Sequence, residues 1–246
     1  MKKLTITKIA AMAMGLAVAG QVAQAQSLFN VDANLTGSPT YTGAAVLGSS
    51  GDLWNAYTAG WYTYGPHNVM TLQDSTGNSA AGVTMDVWNY VTGSDNSGGT
   101  TANPTSLMED YIGSANAGDG WPIKVELANL PDSTAFTLVV YSAGDSAGQG
   151  GTISLATDST FSSIITSAST TGASRDITAG QGVAYQLFSG TTSASGTVDF
   201  EVANTTDWHA LNGVQLQIAA VPEPSSLALC GGGLVLLGMF RRRLSR

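Results

Sequence analysis

The clearest structural signal in the sequence is IKVELA at residues 123–128, followed by FTLVVY at residues 136–141. In the first stretch Ile123, Val125 and Leu127 alternate with polar or small side chains, the period-two pattern of a strand with one buried and one solvent-facing side. The second stretch is apolar apart from Thr137, which is consistent with a central strand covered on both sides. Together they predict an antiparallel sheet packed on a hydrophobic core.

The same alternation recurs outward from these stretches, at residues 28–35, 83–88, 198–203 and 214–218. Four shorter segments are further strand candidates: Tyr41–Leu47, Val69–Leu72, Thr152–Ala156 and Val183–Phe188. Clusters of Ser, Gly, Asn and Asp separate the candidates and are typical of tight turns. About nine or ten short strands at this spacing predict an all-β body, an antiparallel β-sandwich of the jelly-roll type.

The first 25 residues have the three parts of a secretory signal. A basic start is followed by an apolar run over residues 9–20 and by the small residues Ala23 and Ala25, at the positions that a signal peptidase reads. We expect the secretion machinery to export the chain and signal peptidase to cleave it before Gln26. The alternative is an uncleaved membrane anchor, but a run of about a dozen residues is short for a bilayer span.

The last 26 residues, 221–246, form a tail with three ordered parts: the triplet Pro222-Glu223-Pro224, the apolar run Leu227–Phe240, and the basic cluster Arg241, Arg242 and Arg243. The two prolines end any strand or helix that arrives from the body. The apolar run predicts a short hydrophobic helix, and the arginines favour the cytoplasmic side. About fourteen apolar residues are marginal for a stable span, so the run suits a transient stop during export. An ordinary C-terminal membrane anchor is the alternative.

In its order and position this tail resembles the PEP-CTERM sorting signal. The resemblance implies recognition by an exosortase, a membrane-embedded cysteine protease-transpeptidase, and cleavage near the triplet. It also implies a Gram-negative bacterium, a transient stay in the inner membrane and a final place on the cell surface or in the extracellular matrix. In that family the sorting system accompanies exopolysaccharide and biofilm production.

The body, residues 26–220, also resembles the jelly-roll, galactose-binding-like domains often found ahead of this tail. Four segments carry the resemblance: residues 107–111, 125–131, 136–141 and 211–216. It supports the predicted fold, but a fold alone does not give a function.

Charge excludes one class of partner. The body carries 16 of the 17 acidic residues and only two basic ones, Lys124 and Arg175, which gives it a net charge of −14. Nucleic-acid binding needs Lys and Arg to replace counterions, so we expect no nucleic-acid partner. Solubility explains the charge, with cation binding as the alternative. The only cysteine, Cys230, lies in the tail, so the body has no disulfide.

The sequence contains no convincing catalytic motif, and we predict no catalytic residues. Phosphate-cradling and dinucleotide-binding loops are absent. Two histidines, His67 and His209, do not supply a zinc site. We predict no cofactor or metal, with a structural calcium ion at Asp95-Asn96 or at Asp199 and Glu201 left open.

Aromatic side chains give one candidate binding surface. Five of them crowd into eleven positions: Trp54, Tyr57, Trp61, Tyr62 and Tyr64. Flat rings can stack on the apolar face of a sugar, and Trp54 and Trp61 are the candidates for this role. The alternative is that these rings pack into the sandwich core. Trp88, Trp121 and Trp208 are expected to be core or edge residues.

These observations predict an exported, exosortase-processed surface or matrix protein that is not an enzyme and is associated with exopolysaccharide. The alternative is a surface-displayed carbohydrate-active enzyme, a glycoside hydrolase or lyase. Glu109, Asp110 and Glu126 are acids available for that chemistry. Two acids about 5 to 9 Å apart in a cleft would favour the enzyme.

Overall fold

The computed structural model describes residues 26–35, 40–59, 67–88, 92–95, 107–114, 121–144, 148–204 and 208–220. The predicted signal peptide, the C-terminal helix and the arginine cluster lie outside these ranges. Residues Gln26–Ala219 form one compact unit. In the part of the chain that is described, no helix is long and apolar enough to cross a membrane.

The described residues form fourteen strands: β1 (Ser27–Leu35), β2 (Asn55–Ala59), β3 (Asn68–Gln73), β4 (Ser79–Trp88), β5 (Thr92–Asp95), β6 (Asp110–Ser114), β7 (Ile123–Ala128), β8 (Ala135–Tyr141), β9 (Thr152–Ala156), β10 (Ile164–Ser169), β11 (Tyr185–Thr191), β12 (Val198–Ala203), β13 (His209–Leu211) and β14 (Gly213–Ile218). The helical part of these residues is one 3-10 turn, Ile177–Ala179.

The strands form two large sheets and one small sheet. The front sheet has the order β11-β8-β14-β1-β2, the back sheet β10-β9-β12-β7-β4-β3, and the small sheet β13-β6-β5. The strand pairs are antiparallel except β1 and β2, which are parallel. The prediction of an all-β, antiparallel sandwich is confirmed.

Buried apolar side chains from both large sheets form the main core. The front sheet contributes residues such as Val31 and Leu138, and the back sheet contributes Val125 and Phe200. Strand β8 lies between β11 and β14 and is buried on both sides, since its outward-facing residue Val139 packs in a second cluster. The expectation that FTLVVY is a central, doubly covered strand is therefore confirmed.

The outer side of the front sheet differs from the prediction. Alternation along β1 placed Asn30, Asp32 and Asn34 on a solvent-facing side, but they are 0%, 3% and 2% exposed. A second apolar cluster, which includes Tyr41 and Trp54, packs over this side. The polar side of β1 is thus an internal layer.

Residues 41–47, predicted as a strand, form none, because their backbone groups bond to side chains instead of a neighbouring strand. The backbone N–H of Tyr41 donates to Asp32 Oδ2 at 2.6 Å, and that of Val46 to Tyr141 Oη at 3.0 Å. The N–H of Leu47 donates to a Gln215 side-chain oxygen at 2.9 Å. Buried amides need partners, and here polar side chains of the front sheet provide them.

Candidate functional site on the back sheet

Register and alternation place the candidate site on the outer side of the back sheet. Met85 and Val87 of β4 are fully buried, so Asp86 and Trp88 point the other way. Trp88 lies directly opposite Lys124 of β7. Residues opposite one another on neighbouring strands have Cβ atoms about 5 Å apart, so their side chains meet.

Four side chains form what we call the outer-face cluster: His67, Trp88, Lys124 and Phe161. The imidazole of His67 stacks on Trp88 with centroids 4.7 Å apart, and Phe161 meets Trp88 edge-on at 5.8 Å. The Lys124 ammonium lies 4.7 Å from the Phe161 ring centroid, in a cation–π contact. His67 Nδ1 is 2.6 Å from Asp86 Oδ2. The side chain of His67 is 65% exposed, so the cluster is open to solvent.

The connection between β9 and β10 brings Phe161 to the cluster. Asp158 Oδ1 accepts a hydrogen bond from the Thr160 backbone N–H at 2.9 Å, and the N–H of Thr157 donates to Ser163 O at 3.0 Å. Bonds from the Thr160 hydroxyl and N–H lower the pKa of Asp158. Phe161 has φ of 57°, a conformation that bulky residues rarely adopt and that tends to occur at functional sites. The tight turn holds the ring over the back sheet.

A row of carboxylates runs beside the cluster. Asp86 lies opposite Glu126, and Glu126 lies opposite Asp199 on the next strand. Burial raises the pKa of Asp199 to about 6; a hydrogen bond from Thr197 lowers it, and the charges of Glu126 and Asp158 raise it. The row can therefore accept hydrogen bonds from hydroxyl groups, and Asp199 holds its proton more tightly than an isolated carboxyl does.

Glu201 completes the polar surroundings of the cluster. It lies opposite Lys124. Burial raises the pKa of Glu201, and the positive charge of Lys124 acts in the opposite direction. Among the described residues, no group of three or more His, Cys, Asp or Glu side chains could hold a metal ion. Asn96, one of the calcium candidates, lies outside those residues.

The predicted stacking residue Trp54 belongs to the core. It is 7% exposed, its ring meets Tyr41 edge-on at 4.9 Å, and its Nε1 donates to Gly43 O at 3.3 Å. Tyr57 is also buried, in the main core. A ring packed in this way has no free face for a sugar, which corrects the expectation for Trp54. Trp61 lies outside the described residues, so its role stays a prediction.

His209 is also internal. It lies in β13 and is 2% exposed, and its Nε2 is 3.1 Å from Trp121 O. Burial lowers the pKa of His209, although the bond to Trp121 acts against it. These features indicate a neutral histidine with a structural role.

Sequence reasoning missed Trp88 and Phe161 as surface residues. For Trp88 the signal was present: the alternation in residues 83–88 already placed it on the polar side with Thr84 and Asp86. Trp121, also expected at the core or an edge, is 45% exposed. No local sequence pattern predicts that Phe161 lies on this surface, because its position depends on how the turn after β9 folds.

The C-terminal tail matches a known family model. Residues 220–243 match the PEP-CTERM protein-sorting motif, and the match spans the proline triplet, the apolar run and the three arginines. The predicted resemblance is confirmed for this part of the chain. The motif indicates a bacterial protein that is exported, recognised by an exosortase and sorted to the surface.

No curated protein matches the chain. Among solved structures, it is similar to a family 35 carbohydrate-binding module from Clostridium thermocellum, at 14% identity and a TM-score of 0.33, over 54% of this chain and 90% of that one. It is also similar to the C-terminal family 6 carbohydrate-binding module of a marine laminarinase from Zobellia galactanivorans, at 18% identity and a TM-score of 0.27, over 44% and 78%. A third is the K3 cleaved adhesin domain of Lys-gingipain from Porphyromonas gingivalis, at 16% identity and a TM-score of 0.31, over 51% and 90%. Sequence identities and TM-scores this low do not assign a ligand to this chain.

Proposed function

We propose that this chain is a surface or matrix protein of a Gram-negative bacterium whose body associates with extracellular polysaccharide, in a biofilm, without catalysing a reaction. Signal peptidase releases the body before Gln26, and an exosortase processes the tail near Pro222-Glu223-Pro224 after a transient stop in the inner membrane. This role requires no cofactor. The sorting motif at residues 220–243 supports the export steps.

The observation that carries the polysaccharide contact is the outer-face cluster. Trp88 and Phe161 are half-buried rings on a sheet face, held by His67 and Lys124. Aromatic rings pack against the CH face of a sugar, and the nearby carboxylates accept hydrogen bonds from sugar hydroxyls. Each ring contributes about 1 kcal/mol, and since millimolar binding corresponds to about 4 kcal/mol, two rings alone give a contact weaker than millimolar. Many copies on one surface raise the retention of a long polymer.

The carboxylate row argues against glycoside hydrolysis at this site. That reaction needs two acids separated by about 5 to 9 Å, with the scissile bond between them. Glu126 lies between Asp86 and Asp199 in the row, and its charge acts on Asp199 directly. Asp199 is only 2% exposed and Asp86 Oδ2 lies 2.6 Å from His67 Nδ1, so the row does not present a pair of free acids to a substrate. A non-enzymatic role therefore fits the geometry better than the alternative of a carbohydrate-active enzyme.

The test measures retention of the exported protein by the producing organism's extracellular polysaccharide, using affinity electrophoresis. We expect Trp88→Ala to reduce the retardation about fivefold or more, and Trp88→Phe to restore part of it, since one ring contributes about 1 kcal/mol. His67→Ala removes an exposed ring without touching the core. Leu187→Ala is the matched control, because Leu187 is 36% exposed on the front sheet.

Circular dichroism checks the folding of each variant. If wild type is not retarded, or if folded Trp88→Ala and His67→Ala migrate like wild type, the polysaccharide role of this face is wrong.

A further inference from the structure

A separate cleft opens at the side of the sandwich where the edge strands β10 and β11 meet. Its volume is about 210 Å³. Core residues of both sheets form its floor, and hydroxyl side chains form its rim: Phe136, Leu155 and Val198 below, and Thr166, Ser189 and Thr197 above. The cleft is distinct from the outer-face cluster, which lies at β4 and β7.

The two edge strands are joined at one end and part at the other. At the joined end Gln186 Nε2 donates to Ser169 O at 2.5 Å. Further along, Thr166 of β10 and Ser189 of β11 both line the cleft. The parting leaves the edge of the apolar core accessible between Ile165 and Thr166 on one strand and Ser189 and Thr191 on the other.

The floor is held in place by a glycine. Gly190 lies opposite Phe136 in the pairing of β11 with β8. A Cβ atom at Gly190 would come within 2.8 Å of the Phe136 ring, so only glycine lets the ring lie there. Phe136 is 5% exposed, and the ring is therefore a fixed part of the floor.

The lining selects a ligand with an apolar face and hydroxyl groups at its edge. A purely aliphatic ligand would separate the Thr166 and Ser189 hydroxyls from water without offering them a partner, whereas the Thr197 hydroxyl already donates to Asp199. Asp199 is the charged residue among those that line the cleft, and it disfavours an acidic sugar. At about 210 Å³ the cleft is smaller than a drug-sized pocket and has room for one sugar ring.

We propose that the cleft between β10 and β11 binds a single neutral hexose unit, with the CH face of the sugar on Phe136, Leu155 and Val198. This inference rests on the proposed association with polysaccharide and names a second, size-limited contact for it. The connection between β9 and β10 takes part in both sites, since Thr157 lines the cleft and Phe161 packs on Trp88. Two such contacts on one polymer raise its retention by effective concentration.

The test is saturation-transfer difference NMR on the full chain with glucose, galactose or mannose, and with glucuronate as the acidic comparison. We expect millimolar binding of at least one neutral hexose and at least tenfold weaker binding of glucuronate. Ser189→Phe and Thr166→Phe each fill the cleft from an exposed strand position and should weaken hexose binding at least tenfold. Ser167→Phe is the matched control, since Ser167 is exposed on β10, the strand of Thr166, but does not line the cleft.

Thermal melts identify any cleft variant that fails to fold, and the other variant then carries the test. The proposal is overturned if wild type binds no neutral hexose, or if folded Ser189→Phe and Thr166→Phe bind as wild type does. If Trp88→Ala alone abolishes hexose binding, the sugar lies on the outer-face cluster, so the cleft proposal is wrong while the proposed function stands. Loss in the cleft variants and retention in Trp88→Ala supports the cleft.

Discussion

Replacing Asp32 with asparagine should make the protein more stable at neutral pH than the wild type. Asp32 is 3% exposed beneath the segment that contains Tyr41, whose N–H donates to its Oδ2. Burial raises the pKa of Asp32 to about 7; the bond from Tyr41 lowers it, and the negative charge of Asp110 raises it. Asparagine keeps an oxygen acceptor for Tyr41 and removes the buried charge.

The size of the effect follows from the pKa difference between the folded and unfolded states. The folded protein binds the Asp32 proton with a pKa of about 7, against 3.8 when unfolded. At about 1.4 kcal/mol per pKa unit, ionising Asp32 costs the folded state about 4 kcal/mol. Because the pKa of Asp32 is higher in the folded state, the protonated carboxyl contributes its full stabilisation to the folded state below about pH 4. This contribution is lost as the pH rises to about 7. The amount is a large part of a typical unfolding free energy.

The assay is urea unfolding of wild type and Asp32→Asn at about pH 4 and about pH 8. Between these values the free energy of unfolding of the variant relative to wild type should rise by up to about 4 kcal/mol. Asp199 and Glu201 also have raised pKa values, but both proteins contain them, so the comparison isolates Asp32.

Asp74→Asn serves as a control of opposite sign. Burial acts to raise the pKa of Asp74, but hydrogen bonds from Thr76 and Asn78 outweigh it and lower the pKa. That variant should lose stability relative to wild type as the pH rises. A relative stability of Asp32→Asn that is flat or falls with pH would refute the account of a buried, proton-binding carboxyl.

Two further predictions concern the ends of the chain. Mass spectrometry of the exported protein should find the mature N-terminus at Gln26, because Ala23 and Ala25 are small residues at the positions read by signal peptidase; a surface form that retains residues 1–20 would contradict this. Replacing Pro222-Glu223-Pro224 with alanines should leave export intact and make unprocessed precursor accumulate in the inner membrane, as immunoblots of membrane fractions would show. Unchanged processing and location in that mutant would instead indicate a plain anchor.

The sandwich itself was predictable from local patterns. Residues 123–128 alternate in burial as their sequence alternates in polarity, and β9 has the predicted bounds Thr152–Ala156. Both follow from the pleat of a strand, which is a local property. The tail was predictable for a similar reason, since its three parts are contiguous in the sequence.

The internal polar layer was not predictable in this way. Alternation reports which residues share a side of a strand, but it does not report what covers that side. Asn30 and Asp32 are buried because a segment far from β14 in the sequence reaches the same side of the sheet, where Leu47 bonds to Gln215. The same packing buries Trp54. A short window of sequence contains no signal for packing between segments that are far apart in the chain.

The candidate site was half predictable. The side on which Trp88 lies follows from the alternation of its own strand, but density of aromatics along the chain drew attention to Trp54 and Trp61 instead. Counting aromatic neighbours along the sequence favoured Trp54, which is buried, because aromatics that are close together in the sequence need not share a side, whereas strand residues two apart do. Phe161 reaches the site only through the turn formed by Asp158 and Thr160.

The position of β14 has a mechanical consequence. This strand ends at Ile218, just before the sorting tail, and it pairs along six residues with β1 on one side and six with β8 on the other. Tension that enters the body from a held tail loads β14 along its length. Both ladders must then shear at once, whereas an edge strand pulled along its length would shear only one. A body held by its C-terminal end is therefore held through a strand that is paired on both sides.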